Sequence, residues 1–332
     1  MAMAENCTVF DVRSPGEYNH AHIPGAHSLP LFTDEERQVV GTTYKQISRE
    51  QAIKVGLDYF GPKMRQVVES VEQSLPQNSE KTILVHCWRG GMRSAAIAWL
   101  LDLYGFKVYT LVGGYKAYRN WVIAQLGLPY PFKIIGGYTG SGKTPTLHQM
   151  AFEGFATIDL EGIAKHKGSA FGELTEKQPT QEMFDNILAQ NLFKVNQNIP
   201  SGNYIWIEDE SQRIGHINLP NAFWETIRKC PVGFLEIPFE ERLAHIVSEY
   251  GVLPKLTVVN AINRIQKRLG GLDTKNALAF MEAGEIKNCF SILLKYYDKH
   301  YFKALQNREN WDKLVTYLPC ETVDKNNYKK LI

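Results

Sequence analysis

The sequence predicts an α/β protein with two parallel-sheet domains, the second of which ends in a helical part. Short apolar runs alternate with segments of helical periodicity, as in proteins whose helices cover both faces of a parallel sheet. The length of 332 residues also favours two domains over one. Two glycine-containing loops each follow an apolar run, and parallel sheets carry their functional loops at the carboxyl ends of strands. These two loops are therefore the first candidates for function.

The first part of the chain predicts a sheet of short strands. The apolar runs that predict strands lie at 8–13, 27–31, 82–87 and 108–114. Two stretches between them, 49–75 and 94–106, place apolar residues at helical spacing. This order of elements predicts a parallel sheet with helices packed on it.

The domain boundary is predicted at the segment "LGLPYPFK", where two prolines and a glycine end the preceding helix. We predict domains at 1–128 and 129–332. The second domain repeats the alternation, with strands expected at 132–137, 156–160, 204–210 and 232–239. From about residue 240 the pattern is mostly helical, and the chain ends in a polar tail.

Composition and charge argue against several classes of protein. The chain has 37 Lys and Arg against 35 Asp and Glu, so its net charge of +2 offers no electrostatic argument for binding nucleic acid. No stretch approaches the roughly 20 apolar residues that span a bilayer, and the N-terminus lacks a signal-peptide pattern. The five cysteines are scattered, without a CxxC pair or metal-ligand spacing. We expect a cytoplasmic protein without a membrane segment, a metal site or a firmly bound cofactor.

The motif "HCWRGGMRS" places Cys87 between a predicted strand and a predicted helix. Backbone N–H groups and the helix dipole at such a position favour a thiolate. Gly90 and Gly91 let the backbone curl around an anion, and Arg89 and Arg93 add positive charge. We predict that Cys87 is the catalytic nucleophile, partly open to solvent, and that the other four residues bind a donor anion. A structural cysteine beside surface arginines is the alternative.

The motif "GYTGSGKT" follows a predicted strand and fits the phosphate-binding pattern G-x-x-x-x-G-K-[ST]. Its glycines allow a tight turn whose successive N–H groups bind phosphate oxygens. Lys143 adds a point charge, and Thr144 is a candidate Mg²⁺ ligand. The predicted phosphate-binding residues are Gly137, Gly140, Ser141, Gly142, Lys143 and Thr144. The pattern does not identify the phosphate compound, and no adenine-binding motif accompanies it.

Acidic residues follow two further predicted strands. Glu208 and Asp209 end the apolar run at 204–210, where one of them could hold Mg²⁺ through water or orient a substrate. A solvated strand end is the alternative interpretation. The second group is a set of substrate-loop candidates without assigned roles: Asp159, Glu161, His166, Lys167 and Ser169.

The segment "DVRSPGEYNHAHIPGAHSLPL", followed by a strand and a cysteine loop, resembles the rhodanese family of sulfurtransferases. The matching residues are Asp11, Arg13, Glu17, His22, Ile23, Pro24, Gly25 and Ala26. The resemblance implies a rhodanese-like fold and a chalcogen atom carried on Cys87 as a persulfide or its selenium equivalent. Five residues separate Cys87 from Arg93, a spacing that resembles the cell-cycle dual-specificity phosphatases and keeps a phosphatase activity open.

A rhodanese-like domain fused to a P-loop NTPase-like domain resembles the bacterial tRNA 2-selenouridine synthase family. The resemblance extends to the segments "LFTDEERQVVGTTYKQISREQAIKVGLD", "LVGGYKAYR" and "IDLEGIAKHKGSAFG". It implies that the substrate is a tRNA with 2-thiouridine at the anticodon wobble position. It further implies that sulfur is replaced by selenium from selenophosphate, through an S-geranyl intermediate made with geranyl diphosphate. The implied protein partner is a selenophosphate synthase.

Three other functions stay open at the level of sequence. The first is a rhodanese-type sulfurtransferase that is coupled to ATP and acts on a small molecule. The second is a phosphatase, and the third is a non-enzymatic sensor that combines thiol redox chemistry with a nucleotide switch. The tRNA-binding surface is not identified, and the basic residues that are candidates for it are Lys54, Lys63, Arg65 and those of 262–271.

Overall fold

A computed structural model describes residues 7–75, 81–168, 177–200 and 202–332. The chain divides into two compact units. The first comprises Met1–Ala124 and Asp185–Gln190, and the second comprises Gln125–Phe184 and Asn191–Ile332. The predicted boundary between residues 128 and 129 refers to domains that fold independently. It stays a prediction, because the compactness of a unit does not show that the unit folds alone.

The first unit contains a four-stranded parallel sheet in the order β2-β1-β3-β4. Its strands are β1 (Thr8–Asp11), β2 (His27–Ser28), β3 (Thr82–His86) and β4 (Lys107–Thr110). Its helices are α1 (Pro15–His20), α2 (Asp34–Gln46), α3 (Arg49–Phe60), α4 (Met64–Ser74), α5 (Met92–Tyr104) and α6 (Gly114–Leu126). The predicted helical stretch at 49–75 is interrupted by a 3₁₀ turn at Gly61–Lys63, where Pro62 occupies the first turn.

The core of this unit lies between the sheet and its helices. The last four of the five residues of β3 are buried, as expected for a strand covered on both faces. Phe10, Ile83 and Val85 pack against Ile97 and Leu101 of α5 in one apolar cluster. Burial of such side chains stabilises the fold by about 1.5–3 kcal/mol each and holds the end of β3 in place.

The second unit contains a five-stranded parallel sheet in the order β11-β10-β5-β7-β6. Its strands are β5 (Phe132–Gly136), β6 (Thr157–Ile158), β7 (Ile205–Glu208), β10 (Val232–Glu236) and β11 (Val315–Pro319), and a short antiparallel hairpin adds β8 (Arg213–Ile214) and β9 (Ile217–Asn218). The helices that follow the loops of this sheet are α7 (Lys143–Phe152), α8 (Leu160–Ala164), α9 (Gln181–Asn198) and α10 (Asn221–Ile227).

The C-terminal part of the second unit is mainly helical, as predicted. Its helices are α11 (Phe239–Tyr250), α12 (Lys255–Leu269), α13 (Gly271–Glu282), α14 (Ile286–Gln306) and α15 (Trp311–Leu314). Apolar faces of α11 to α14 form a cluster of their own around Ile262, Phe290 and Leu293. Within the described ranges, no helix combines the length and apolar character that crossing a bilayer requires.

The predicted α/β class with parallel sheets is confirmed, but several elements differ from the prediction. The strand expected at 27–31 covers only His27–Ser28, because Pro30 cannot donate a ladder hydrogen bond. Strand β11 was not expected, since the region after residue 240 was predicted to be mostly helical. The polar tail also packs: Tyr328 and Leu331 are 7% and 5% exposed and contact the core of the sheet.

Candidate active sites

Cys87 lies in the loop between β3, which ends at His86, and α5, which begins at Met92. The residue is 4% exposed, so the expected partly open side chain is wrong for this conformation. The sulfur nevertheless has polar neighbours: the N–H of Gly91 donates to Sγ at 3.3 Å, and Ser94 Oγ lies 3.3 Å from it. The cysteine is therefore covered, but its sulfur is not enclosed by hydrocarbon alone.

The surroundings of the Cys87 thiol favour its ionised form. Burial raises the pKa of the thiol, but hydrogen bonds from the Ser94 hydroxyl and from the backbone N–H groups of Ser94, Arg89 and Gly91 lower it more. The net effect places the pKa of Cys87 below its ordinary value. Because thiolates rather than thiols are nucleophiles, this loop activates the residue that the sequence predicted as the nucleophile.

The first turn of α6 holds the cysteine loop in shape. The N–H of Tyr115 donates to the carbonyl of Cys87 at 2.8 Å. The N–H of Lys116 donates in the same way to the carbonyl of Trp88 at 2.9 Å. Gly114 has φ of +60°, and a Cβ there would lie 2.4 Å from the carbonyl oxygen of Cys87. Only glycine fits this close approach, which sequence reasoning did not identify.

The two arginines of the cysteine loop have different surroundings. Arg89 is exposed, and among the described residues its side chain has no ion pair. Arg93 is half-buried, and its Nη1 donates to Glu17 Oε2 at 2.7 Å. Glu17 also pairs with Arg37 at 2.9 Å, so one carboxylate serves two guanidinium groups. Their roles in anion binding stay predictions, and Arg89 is the one whose charge is not already paired.

A buried polar network lies next to the cysteine loop. Arg13 Nη2 donates to Asp11 Oδ2 at 2.6 Å, and its guanidinium carbon lies 3.7 Å from the ring centroid of Tyr115. His86 Nε2 is 3.8 Å from Asp11 Oδ2. Burial lowers the pKa of His86, although the Asp11 charge acts in the opposite direction. The Asp11–Arg13 pair lies at the end of β1, whereas both ring nitrogens of His86 lack a hydrogen-bond partner among the described residues.

The phosphate loop connects β5 to α7, as the motif predicts. Gly137, Gly140 and Gly142 have φ of +151°, +79° and +73°, values that residues with side chains rarely adopt. Ser141 is 1% exposed, and its N–H donates to the carbonyl of Tyr138 at 3.1 Å. The predicted glycines therefore form the sharp turn that a phosphate-binding nest requires.

Lys143 and Thr144 begin the helix that follows this loop. Lys143 Nζ donates to the carbonyl of Gly137 at 3.0 Å and lies 5.4 Å from the ring centroid of Tyr301. Thr144 Oγ1 donates to Glu161 Oε2 at 2.9 Å. The lysine charge is thus held across the mouth of the loop without a carboxylate partner among the described residues, which leaves it available for an anion.

The two acidic residues predicted after β7 have separate surroundings. Glu208 is fully buried, and its Oε1 accepts the N–H of Glu161 at 2.9 Å. Its Oε2 has no hydrogen-bond partner among the described residues. Asp209 accepts a hydrogen bond from the Tyr301 hydroxyl at 2.6 Å and pairs with Arg308. Tyr301 and Arg308 therefore hold the Asp209 carboxylate in place, whereas one carboxyl oxygen of Glu208 makes no hydrogen bond to a described residue.

Burial and mutual repulsion raise the pKa of several of these carboxyl groups. Burial, followed by the charges of neighbouring carboxylates, raises the pKa of Glu208 well above its ordinary value. Burial and then the Glu161 charge raise the pKa of Glu210 to about 8. Burial also raises the pKa of Glu161, although the Thr144 hydroxyl opposes this. Protonated carboxyls repel an incoming diphosphate much less than carboxylates do.

A cavity of about 760 Å³ opens next to the phosphate loop in the second unit. Its polar wall contains residues 139–144 together with the carboxyl groups of Asp159, Glu161, Asp209 and Glu210. Its other wall comes from the C-terminal helices and contains apolar and aromatic side chains, with the titratable residues His245, Glu249, Arg268 and His300 among them. The apolar and aromatic residues are Ile246, Tyr250, Phe290, Leu293, Leu294 and Tyr297. The volume is typical of small-molecule sites. A ligand with a phosphate group and a hydrocarbon part fits both walls.

Two supports of the phosphate loop carry no short motif and were missed. Arg242 is 3% exposed and binds both carboxylate oxygens of Asp298, at 2.9 and 2.8 Å. Its Nη1 also donates to the carbonyl of Thr139 at 3.1 Å. The N–H of Gly137 donates to the Tyr301 hydroxyl at 3.2 Å. These residues come from α11 and α14, more than 100 positions from the loop, so only the fold brings them there.

Of the substrate-loop candidates, Asp159, Glu161 and Lys167 line the cavity, and Ser169 lies outside the described residues.

Comparison with known proteins identifies the family. The model of the tRNA 2-selenouridine synthase AAA domain matches residues 130–258, and the rhodanese-like domain model matches residues 1–120. The tRNA 2-selenouridine synthase of Hydrogenovibrio crunogenus is 35% identical over 336 residues, which cover 92% of this chain and 91% of that protein. The chain belongs to the tRNA 2-selenouridine synthase family. The enzyme of the same name from Bdellovibrio bacteriovorus is 32% identical over 346 residues, covering 92% of this chain and 90% of that protein. The predicted family and its two-part architecture are thereby confirmed.

Proposed function

We propose that this member of the tRNA 2-selenouridine synthase family replaces sulfur by selenium at C2 of 2-thiouridine in the tRNA wobble position. The selenium donor would be selenophosphate, supplied by a selenophosphate synthase. The exchange would pass through S-geranyl-2-thiouridine, formed from geranyl diphosphate. A thiocarbonyl sulfur is a poor leaving group, and alkylation converts it into a good one.

The observation that carries this proposal is the composition of the cavity in the second unit. The cavity joins a phosphate loop to an apolar and aromatic part of its wall, formed by Ile246 and Tyr250 of α11 and by Phe290, Leu293 and Leu294 of α14. Geranyl diphosphate has the matching parts, a diphosphate and a ten-carbon chain. Removing such a chain from water is favourable by about 25 cal/mol per Å² of apolar surface, so the apolar wall would add affinity and select for a prenyl donor.

The cysteine loop supports a separate role in the selenation step. The Gly91 N–H and the Ser94 hydroxyl stabilise negative charge at Sγ of Cys87. In our proposal Cys87 is the nucleophile of selenation, and Arg89 and Arg93 bind selenophosphate. Because Cys87 is covered in this conformation, the exposed residues Gly90 and Gly91 would have to move for the donor to reach the sulfur.

Mg²⁺ use is a further part of the proposal. The Thr144 hydroxyl and the Glu208 carboxyl group, deprotonated on binding the ion, are oxygen ligands of the kind that Mg²⁺ prefers, and Glu208 Oε2 is a buried oxygen without a partner among the described residues. Bound there with the diphosphate, the ion would neutralise charge on the leaving group. Chelation of Mg²⁺ should then slow geranyl transfer, and an unchanged rate in excess chelator would contradict this role.

Replacing Cys87 by serine separates the two reactions. We expect Cys87→Ser to geranylate thiolated tRNA at the wild-type rate but to install no selenium, because a hydroxyl is not ionised at neutral pH. Mass spectrometry of nucleosides from the treated tRNA measures both products. Normal selenation by this variant would show that Cys87 is not the nucleophile. Phosphate release from an aryl phosphate by the wild-type protein would instead favour a phosphatase.

Replacing Lys143 tests the diphosphate site. A hydrogen bond to a charged group contributes about 1.5–3 kcal/mol, so Lys143→Ala should raise the KM for geranyl diphosphate by about 10- to 100-fold. Lys229 is exposed and does not line the cavity, so Lys229→Ala is the matched control and should leave KM unchanged. If Lys143→Ala binds geranyl diphosphate as the wild type does, the donor binds elsewhere.

A further inference from the structure

A histidine–aspartate pair borders the same cavity and has no part in the function proposed so far. His148 lies on α7, one helical turn after Thr144, and its Nε2 is 2.7 Å from Asp159 Oδ2. Both side chains line the cavity. The His148 side chain is 60% exposed, so a substrate that enters the cavity can reach it.

The position of Asp159 determines which nitrogen of His148 is free. Asp159 is the N-cap of α8, and its Oδ1 accepts the N–H of Gly162 at 2.7 Å. The other oxygen, Oδ2, faces His148. A carboxylate accepts a proton-bearing nitrogen, so neutral His148 carries its hydrogen on Nε2 and presents Nδ1 as a proton acceptor. The hydrogen bond from the Gly162 N–H fixes the orientation of the Asp159 carboxylate, and this carboxylate in turn fixes the orientation of the His148 imidazole.

We propose that His148 is the general base of the geranyl-transfer step and that Asp159 is its positioning residue. The inference rests on the proposed function, because it concerns the reaction of 2-thiouridine with geranyl diphosphate. The C2 sulfur attacks C1 of the prenyl chain, the S–C1 bond forms, and the C1–O bond breaks so that diphosphate leaves with the electron pair. N3 must then lose its proton, which passes to Nδ1 of His148, while the N–H electrons form the C2=N3 double bond.

The other titratable groups near the phosphate loop are less suited to this role. Glu161 accepts the Thr144 hydroxyl, and Glu208 is fully buried with Glu161 donating to it. Glu210 lines the cavity close enough to Lys143 to sense its charge, where the diphosphate of the donor would bind. Among the cavity-lining groups near α7, His148 has an oriented acceptor nitrogen that no other side chain in the described part of the chain occupies.

Removal of the imidazole provides the first test. General bases contribute about 10²–10⁴-fold to rate, so His148→Ala should lower the single-turnover rate of geranylation at least 100-fold with little change in KM for geranyl diphosphate. Free imidazole in the buffer should restore part of this rate, which a merely structural role would not allow. Gln149 is the neighbour on α7, and its side chain donates to Glu153 on the same helix, so Gln149→Ala is the control and should retain the wild-type rate.

The second test reverses the hydrogen bond while the helix cap is kept. Asp159→Asn retains an oxygen for the Gly162 N–H, because asparagine is as good an N-cap as aspartate. Its amide group then donates to Nε2, which moves the histidine hydrogen to Nδ1 and removes the acceptor. We expect this variant to bind geranyl diphosphate normally and to lose a rate factor similar to that of His148→Ala.

The outcomes separate this inference from the function on which it rests. If the wild-type protein does not geranylate thiolated tRNA, the proposed function fails. If it does, and His148→Ala retains the rate or is not rescued by imidazole, the base is wrong while the function stands. Loss of rate in Glu210→Gln but not in His148→Ala would assign the proton to Glu210. With tRNA that is already geranylated, His148→Ala should install selenium at the wild-type rate.

Discussion

At the residue scale, the ionisation of Cys87 depends on which acceptor receives the hydroxyl hydrogen of Ser94. Ser94 Oγ lies 3.3 Å from Sγ and 3.0 Å from the carbonyl of Gly91, and its single hydrogen can be donated to either atom. A thiolate attracts the hydrogen more strongly than a neutral carbonyl does, because hydrogen bonds to charged acceptors are the stronger ones. Ionisation of the cysteine therefore brings its own additional stabilisation.

Replacing Ser94 should make Cys87 less reactive. Ser94→Ala removes one donor to the thiolate, so the pKa of Cys87 should rise and less thiolate should be present at neutral pH. A lost hydrogen bond to a charged group of about 1.5 kcal/mol corresponds to alkylation that is about tenfold slower at pH 7. Iodoacetamide labelling followed by mass spectrometry measures this rate across pH.

Two other buried cysteines and a second serine serve as references in the iodoacetamide experiment. Burial raises the pKa of Cys289 to about 12 and also raises the pKa of Cys320, so both should label much more slowly than Cys87 in the wild type. Ser70 donates only within α4, and Ser70→Ala should not change the labelling of Cys87. A Ser94→Ala protein with the wild-type pH midpoint would show that the backbone N–H groups alone activate the sulfur.

At the element scale, each predicted loop has its shape because a second, distant element lies against it. The cysteine loop rests on the first turn of α6, which donates two backbone N–H groups to it. The phosphate loop is held by Arg242 of α11 and Tyr301 of α14. A glycine in a motif thus permits the conformation, whereas its neighbours in space select it.

A pair of glycine substitutions tests this at the cysteine loop. Gly114→Ala introduces strain at φ of +60° and a Cβ that would lie 2.4 Å from the carbonyl of Cys87. Gly105→Ala meets a φ of +109° but no atom within 4 Å. We expect Gly105→Ala to cost only the backbone strain of about 1–2 kcal/mol in free energy of unfolding.

The two variants should then differ in both stability and chemistry. Gly114→Ala should unfold at a clearly lower temperature than Gly105→Ala and should also lose the fast alkylation of Cys87, because the loop must move. Calorimetry and the labelling assay measure the two effects. Equal unfolding temperatures and equal labelling would mean that the first turn of α6 does not determine the loop conformation.

At the scale of the whole molecule, the end of the chain completes the sheet that carries the phosphate loop. Strand β11 pairs with β10, which pairs with β5 immediately before the loop. Leu331 is 5% exposed and belongs to the same cluster as Ile135 of β5 and Leu147 of α7. The contribution of the tail to the core is not evident from its polar sequence, because only two of its side chains, Tyr328 and Leu331, are buried.

The last two residues provide a matched test of this packing. Leu331→Ala should lower the free energy of unfolding by about 2–5 kcal/mol, as expected for a buried leucine. Ile332 is 63% exposed, so Ile332→Ala should change it by less than about 0.5 kcal/mol. Thermal unfolding followed by calorimetry compares the two, and similar unfolding temperatures would show that the tail does not stabilise the sheet.

The sequence alone determined the α/β class, the two strand–loop–helix sites and the family to which the chain belongs. These features are local, because a glycine, a cysteine or a lysine at fixed spacing after an apolar run specifies its own backbone turn. Strand β11 and the 27–31 segment were predicted incorrectly, since strand formation depends on which edge of a sheet is available for pairing.

Only the tertiary structure decided what surrounds each loop. It joined the phosphate loop to an apolar wall from α11 and α14, placed Asp159 against His148, and covered Cys87 while leaving its sulfur in contact with donors. The supports of the phosphate loop lie more than 100 positions from it, and the closer pair His148 and Asp159 lies on two separate helices. These contacts arise because burial of the helices and sheets brings distant side chains together, and the sequence pattern specifies that burial but not the partners it produces.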